Sequence, residues 1–203
     1  MTPIPFQFSL GVIRNGTPLI KKSYLTQDPS KDPRYDLAIK LIESVGKSGS
    51  IVTYNMSFEK GRIQELADQC PRLKPKLLAI KNRVVDLLDV IKPGIYHPDF
   101  NFSWSIKSVV PELFGPSECY SSLVVKNGLQ AQELYLKAIE SSLSEQTKKD
   151  LIDYCNKDVI EMIKLYLLAV KLSDFKNKTP INPDIGFINP NGPHSSPLAP
   201  LIP

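Results

Sequence analysis

The chain has 203 residues, 42% of them apolar and 23% charged, and carries a net charge of +4, which allows a polyanionic partner without requiring one. That length supports one α/β domain with a sizeable core and is short for two. No apolar run reaches the roughly 20 residues of a membrane span, the N-terminal Met-Thr-Pro-Ile-Pro is no secretory signal, and Cys70, Cys119 and Cys155 have neither disulfide-framework nor zinc-site spacing, so a cytoplasmic protein with reduced thiols and no membrane partner is expected.

Ile4 to Val12 and Leu19 to Leu25 are apolar stretches flanking Asn15-Gly16, the turn chemistry of a β-hairpin. Asp28 to Tyr35 is a polar, proline-containing loop. Leu37, Ile39, Leu41, Ile42 and Val45 recur at near-helical spacing, and Gly46 and Gly49 end that helix. Ser50 to Tyr54 is short and β-branched, as a buried strand would be. A helix from about Ser57 to Gln69 follows, with Phe58, Ile63, Leu66 and Cys70 expected inward. Arg83 to Leu88 predicts another strand, Pro93 to Asn101 a loop, and Ser105 to Phe114 a short helix. The longest helix is predicted from near Ser144 to about Leu172, with Leu151, Cys155, Val159, Met162, Tyr166 and Val170 as its apolar stripe. Beyond Ser173 prolines accumulate as far as Pro203, and the tail over 173–203 has too little apolar content to order itself. Residues 1–172 therefore predict one α/β domain, a mixed sheet with helices on both faces.

Two constellations carry the candidate chemistry. Tyr54-Asn55-Met56-Ser57-Phe58-Glu59 places a polar residue and a carboxylate where a strand gives way to a helix, the end of an α/β sheet at which ligands bind. Ser57 as a helix cap and Glu59 as a complement to the helix dipole would explain the same residues. Tyr154 and Asp158, at i and i+4 of the long helix, stack a phenol and a carboxylate on one face; a hard-cation ligand and a solvated flank both fit. Asp86 in an apolar strand needs a partner, as a ligand, a cap or a sheet-end residue. The basic run Arg72, Lys74, Lys76, Lys81 and Arg83 suits phosphate contacts or a solvated face equally. Ser103-Trp-Ser-Ile-Lys107 offers stacking and charge to a single strand, or a core tryptophan. Among commoner enzyme signatures, no P-loop, Gly-rich dinucleotide turn or Ser/His/Asp triad is present.

In this order the motifs resemble the DnaQ-like 3′–5′ exonuclease superfamily in its tyrosine (DEDDy) subclass. Asn55-x-x-Phe58-Glu59 is similar to the second motif, with glutamate where aspartate is usual, and Tyr154-x-x-x-Asp158 to the third. Val85-Asp86-Leu-Leu and Ser103-Trp-Ser-Ile-Lys107 resemble further stretches common there. More closely, Pro5-Phe-Gln-Phe-Ser9, Asp32-Pro-Arg34, Tyr54 to Lys60 and Tyr96 to Phe100 resemble the bacterial domain of unknown function 2779. The resemblance implies a ribonuclease-H-like fold and two Mg²⁺ or Mn²⁺ ions held by four carboxylates. By analogy Glu59 and Asp158 would be metal ligands and Tyr154 would orient the attacking water. Asn55, Phe58, Lys107 and Asp86 would line the substrate groove. The family's first motif, Asp-x-Glu on a central strand, has no counterpart before Phe6, so the chain is expected to be a piece of a larger protein, a misassigned start or a relic of a split gene. The implied activity is hydrolysis of a DNA or RNA strand once that motif is supplied, with nucleic acid and a further nuclease domain of the same parent protein as partners. The alternatives are a non-catalytic nucleic-acid-binding module and an inactive remnant.

Overall fold

The computed structural model describes residues 4–14, 17–26, 28, 31–141 and 143–178. The chain opens with an antiparallel pair, β1 (Gln7–Arg14) and β2 (Thr17–Leu25), running from Gln7 opposite Leu25 to Arg14 opposite Thr17, with a register shift between Val12 and Ile13. The Asn15-Gly16 turn lies outside the described residues. Helix α1 (Arg34–Val45) follows and stops at Gly46, whose φ of 70° is a conformation that L side chains rarely adopt. Strand β3 (Ile51–Thr53) leads through α2 (Met56–Gln69) and α3 (Lys74–Lys81) to β4 (Val84–Asp86), which pairs parallel with β3. Such parallel pairing requires a crossover, and here α2 and α3 form it.

The second half is helical: α4 (Leu88–Gly94), α5 (Ile106–Phe114), α6 (Gly128–Ser141) and α7 (Glu145–Lys178). Ser105 caps α5 by accepting the Lys107 N–H.

Three apolar clusters hold these elements. One joins α1, α2, α3 and β4 through Leu37, Ile63, Leu66, Leu77, Ile80 and Val84, with Phe8 and Tyr24 of the hairpin packed on it. The second sets the base of the hairpin against α6 and α7; the Phe6 ring stacks on Tyr135 with centroids 4.0 Å apart. The third packs α4, α5 and α7 around Phe100, Ile91, Val109 and Leu165. Polar contacts add to this: Ser9 and Ser23, opposite each other on the hairpin, both donate to Asn156 Oδ1 of α7, at 2.9 and 2.6 Å. Gly11 lies so close to α7 that an added Cβ would sit 2.5 Å from Ile163 Cδ1.

The fold is mixed α/β as expected, but among the described residues the strands form two separate two-stranded sheets rather than one. Phe8, Tyr24, Ile51 and Val84 nevertheless belong to one apolar cluster, so both sheets face a shared core. Other differences have local causes. Helices α3, α4 and α6 are missing from the sequence reading: α3 and α4 are short, and α3 carries Pro75 in its first turn, where proline is tolerated. Helix α7 continues to Lys178, into the segment assigned to the tail; residues 179–203 lie outside the described residues. Its stripe is also rotated from the expected one, since Val170 is exposed while Glu161 and Leu165 are fully buried.

Candidate functional site

The end of the β3–β4 pair, the first turn of α2, α5 and the middle of α7 bring together most of the residues singled out from the sequence. Asp86, the last residue of β4, accepts the backbone N–H groups of Asn55 and Met56, each at 2.8 Å, and of Leu88 at 3.0 Å. It thereby caps α2 from across the sheet and fixes the start of α4, satisfying amides that a helix start leaves open. Ser57 does not cap α2; its hydroxyl donates to Asn55 Oδ1 at 2.8 Å. Asn55 occupies the left-handed region, φ 66°, which turns the chain sharply out of β3 into α2. Tyr54 donates to the Trp104 carbonyl at 2.9 Å, and burial, with a smaller contribution from Asp86, pushes its hydroxyl up to about 12.

Glu59, one turn into α2, is half-buried, and its Oε2 is a buried oxygen with no hydrogen-bond partner among the described residues. Burial chiefly, and then the charges of Asp86 and Asp158, push its carboxyl up to about 7. An orphaned carboxylate oxygen under the charges of two further carboxylates is a costly arrangement in a bare protein. Carboxylate oxygens are the donors that a hard divalent cation takes, and Glu59 and Asp158 are the groups that could hold one.

On α7, Asp158 is half-buried, and burial raises its carboxyl above the usual range. Its Oδ1 accepts the hydroxyl of Tyr120 at 2.6 Å. Tyr154, one turn earlier, meets the Tyr120 ring edge-on with centroids 6.3 Å apart. Its hydroxyl is held well above the usual phenol range by burial and then by the Asp158 charge, so it stays protonated. The Lys107 ammonium sits over both rings, 4.7 Å from Tyr120 and 5.0 Å from Tyr154, and donates to the Lys126 carbonyl.

Phe58 is not inward as predicted: it is 60% exposed, with the Arg62 guanidinium 5.5 Å from its ring centroid. The reason is register, because Ile63, Leu66 and Ala67 take the buried face of α2. Trp104 packs against Phe100 at 5.5 Å, as a core tryptophan would. The basic run is dispersed: Lys74 pairs with Asp68, Lys81 donates to Gln64, and Arg83 donates to the carbonyls of Gly46, Ser48 and Gly49. Tyr120 escaped the sequence reading because it opens the second of two short 3-10 turns, where no periodicity marks it. The buried Glu161, flanked by Lys157 at 2.6 Å and Lys164 at 3.5 Å, escaped for the opposite reason, since charged residues at helical spacing look like a solvated face.

Among the described residues, the three potential metal ligands whose ligand atoms lie within 4.8 Å of one another are elsewhere: His97, Asp99 and Glu112. Asp99 and Glu112 are exposed, and the His97 Nδ1 already accepts the Asp99 N–H at 3.3 Å.

The domain of unknown function DUF2779 matches residues 2–105, just over half of the chain. The chain belongs to the DUF2779 family. The matched segment contains Asn55, Phe58, Glu59 and Asp86 and stops short of Lys107, Tyr120, Tyr154 and Asp158. This DUF2779 chain is similar to an uncharacterized protein of Mycoplasma pneumoniae, 34% identical over 136 residues, which is 58% of the chain and 20% of that protein. It is similar also to an uncharacterized protein of Ureaplasma parvum, 30% identical over 149 residues, 64% of the chain and 22% of that protein. The chain thus spans about a fifth of the length of the curated relatives it matches. No solved structure matches it. Among the described residues no helix is long and apolar enough to cross a membrane, and Cys70, Cys119 and Cys155 are all free thiols.

Proposed function

We propose that this chain forms part of a metal-dependent 3′–5′ exonuclease-type domain of ribonuclease-H-like architecture that hydrolyses a DNA or RNA strand. The observation that carries the reading is Glu59 Oε2, a buried carboxylate oxygen without a partner, in the field of Asp158, with Tyr154 one turn away on the same helix. Mg²⁺ or Mn²⁺ bound there would supply the positive charge that stabilises the attacking and leaving oxygens of a phosphodiester.

The chain's own residues divide the remaining work. Glu59 from α2 and Asp158 from α7 supply negative charge. The protonated Tyr154 hydroxyl can accept a hydrogen bond from water and donate one in turn, which suits it to orient a nucleophile. Lys107, half-buried over the two tyrosine rings, places a cation beside a region otherwise set by carboxylates and complements phosphate. Phe58, in the first turn of α2, offers an exposed ring on which a base can stack. Two carboxylates are half of a two-metal set, and among the described residues the two sheets each end in an edge without a strand partner. A strand bearing further carboxylates, seated between β1 and β3, would complete both the sheet and the ligand set.

The test compares the chain with the chain joined to a strand bearing Asp-x-Glu, on 5′-labelled single-stranded DNA and RNA with Mn²⁺. Laddered loss from the 3′ end that disappears in Asp158→Asn is expected in the joined protein. Absence of cleavage in both, with oligonucleotide bound regardless of Mn²⁺ and of Asp158, would replace this reading by the binding module.

A further inference from the structure

We propose that Tyr120 is the positioning residue for Asp158, holding its carboxylate for a cation through a donor that carries no charge; this rests on the reading of the site given above. Asp158 lies within α7, half-buried, and among the described residues no ammonium or guanidinium makes an ion pair with it. Its Oδ1 accepts the Tyr120 hydroxyl at 2.6 Å, and the Tyr154 hydroxyl acts on it as a second, weaker uncharged donor. A lysine or arginine in that place would orient the carboxylate but also neutralise it. A phenol supplies a strong hydrogen bond to the anion and leaves the net charge available. Lys107, the cation whose charge acts on Asp158, commits its ammonium to the Lys126 carbonyl and to the faces of the two tyrosine rings.

Tyr120 is itself held from two directions. Its residue is only 6% exposed, wedged between Lys107 and the edge of Tyr154. Two residues earlier, Glu118 bridges Lys157 at 2.7 Å and Lys164 at 2.5 Å, fastening this irregular segment along one face of α7. Lys157 Nζ donates to Glu118 Oε2 and also lies 2.6 Å from the buried Glu161 Oε1, so the clamp on the segment is a charge-assisted one at the residue next to Asp158. An outer-shell partner of this kind fixes the orientation of a metal ligand, and its loss typically weakens metal binding by about 10- to 100-fold.

The experiment measures Mn²⁺ binding by electron paramagnetic resonance in the full chain, alone and joined to a strand bearing Asp-x-Glu, on a Glu112→Gln background that removes the His97 group. Tyr120→Phe is expected to weaken Mn²⁺ binding at least about 10-fold and to lower kcat while leaving KM for the oligonucleotide unchanged. Tyr120→His keeps a ring and an N–H donor and is expected to retain more of the affinity. Equal losses in the two variants, or wild-type binding in Tyr120→Phe while Asp158→Asn abolishes it, would overturn the role of Tyr120 and leave the site reading standing. If Asp158→Asn leaves Mn²⁺ binding unchanged, the site reading fails and the role of Tyr120 fails with it.

Discussion

Glu59 has a stability consequence of its own. Its carboxyl is raised from 4.5 to about 7 in the folded protein, so between those values the folded chain holds a proton that the unfolded chain has released. Stability from this group is full below about pH 4.5 and falls as pH rises through 7. Glu59→Gln removes the dependence: thermal melts should show no gain over the parent at pH 4 and a gain on the order of 2 kcal/mol at pH 8, discounted for partial exposure. A variant no more stable than the parent at pH 8 would show that the carboxylate is solvated there. Asp86 predicts the opposite sign. Its carboxylate serves three backbone amides from two helix starts, so Asp86→Ala should cost roughly 3 kcal/mol in urea unfolding, and Asp86→Asn less. Glu59 and Asp158 were singled out by motif resemblance, and the charge of Asp158 does act on Glu59. The work of Asp86 was not legible, because two of its three amides lie about thirty residues away in sequence and only the β3–β4 register brings them within reach.

At the level of elements, the hairpin and α7 are fitted with no slack. Gly11→Val would drive branched methyls into Ile163 and Val159, and is expected to cost about 2 kcal/mol in chemical denaturation; a neutral result would mean the hairpin rides higher on α7 than described. Arg83 spreads its guanidinium over three carbonyls of the turn after α1, which fastens that turn to the start of β4. Arg83→Lys, a point charge where a planar fork is used, should lose about 1 kcal/mol and speed proteolysis at residues 46–49. Helices α1, α2 and α5 were readable because their apolar spacing and bounding residues agree. The inward face of α2 was not, since Phe58 begins a turn whose buried positions fall at Ile63, Leu66 and Ala67. Helices α3 and α4 are shorter than the span over which a period can be told from chance.

For the whole molecule, two small sheets share one apolar core without sharing a ladder. Two-stranded sheets are marginal by themselves, so most of the cohesion comes from the helices. Amide exchange should therefore be slowest in α7 around Leu151 to Leu165 and fast at the outer edges of β1 and β3. Uniform protection of both strands to the level of α7 would contradict separate sheets. Composition was a fair guide to an α/β chain, whereas strand pairing depends on contacts between distant segments that no local pattern records. One consequence follows from α7, which touches the hairpin, α4, α5 and α6 and also carries Tyr154 and Asp158. Each residue advances such a helix by about 100°, so inserting or deleting one between Leu151 and Leu165 would put core anchor and carboxylate out of phase. Evolution and protein engineering are free to change side chains along this helix far more readily than its count of residues; DUF2779 proteins that retain the site should differ in length around α7, not within it.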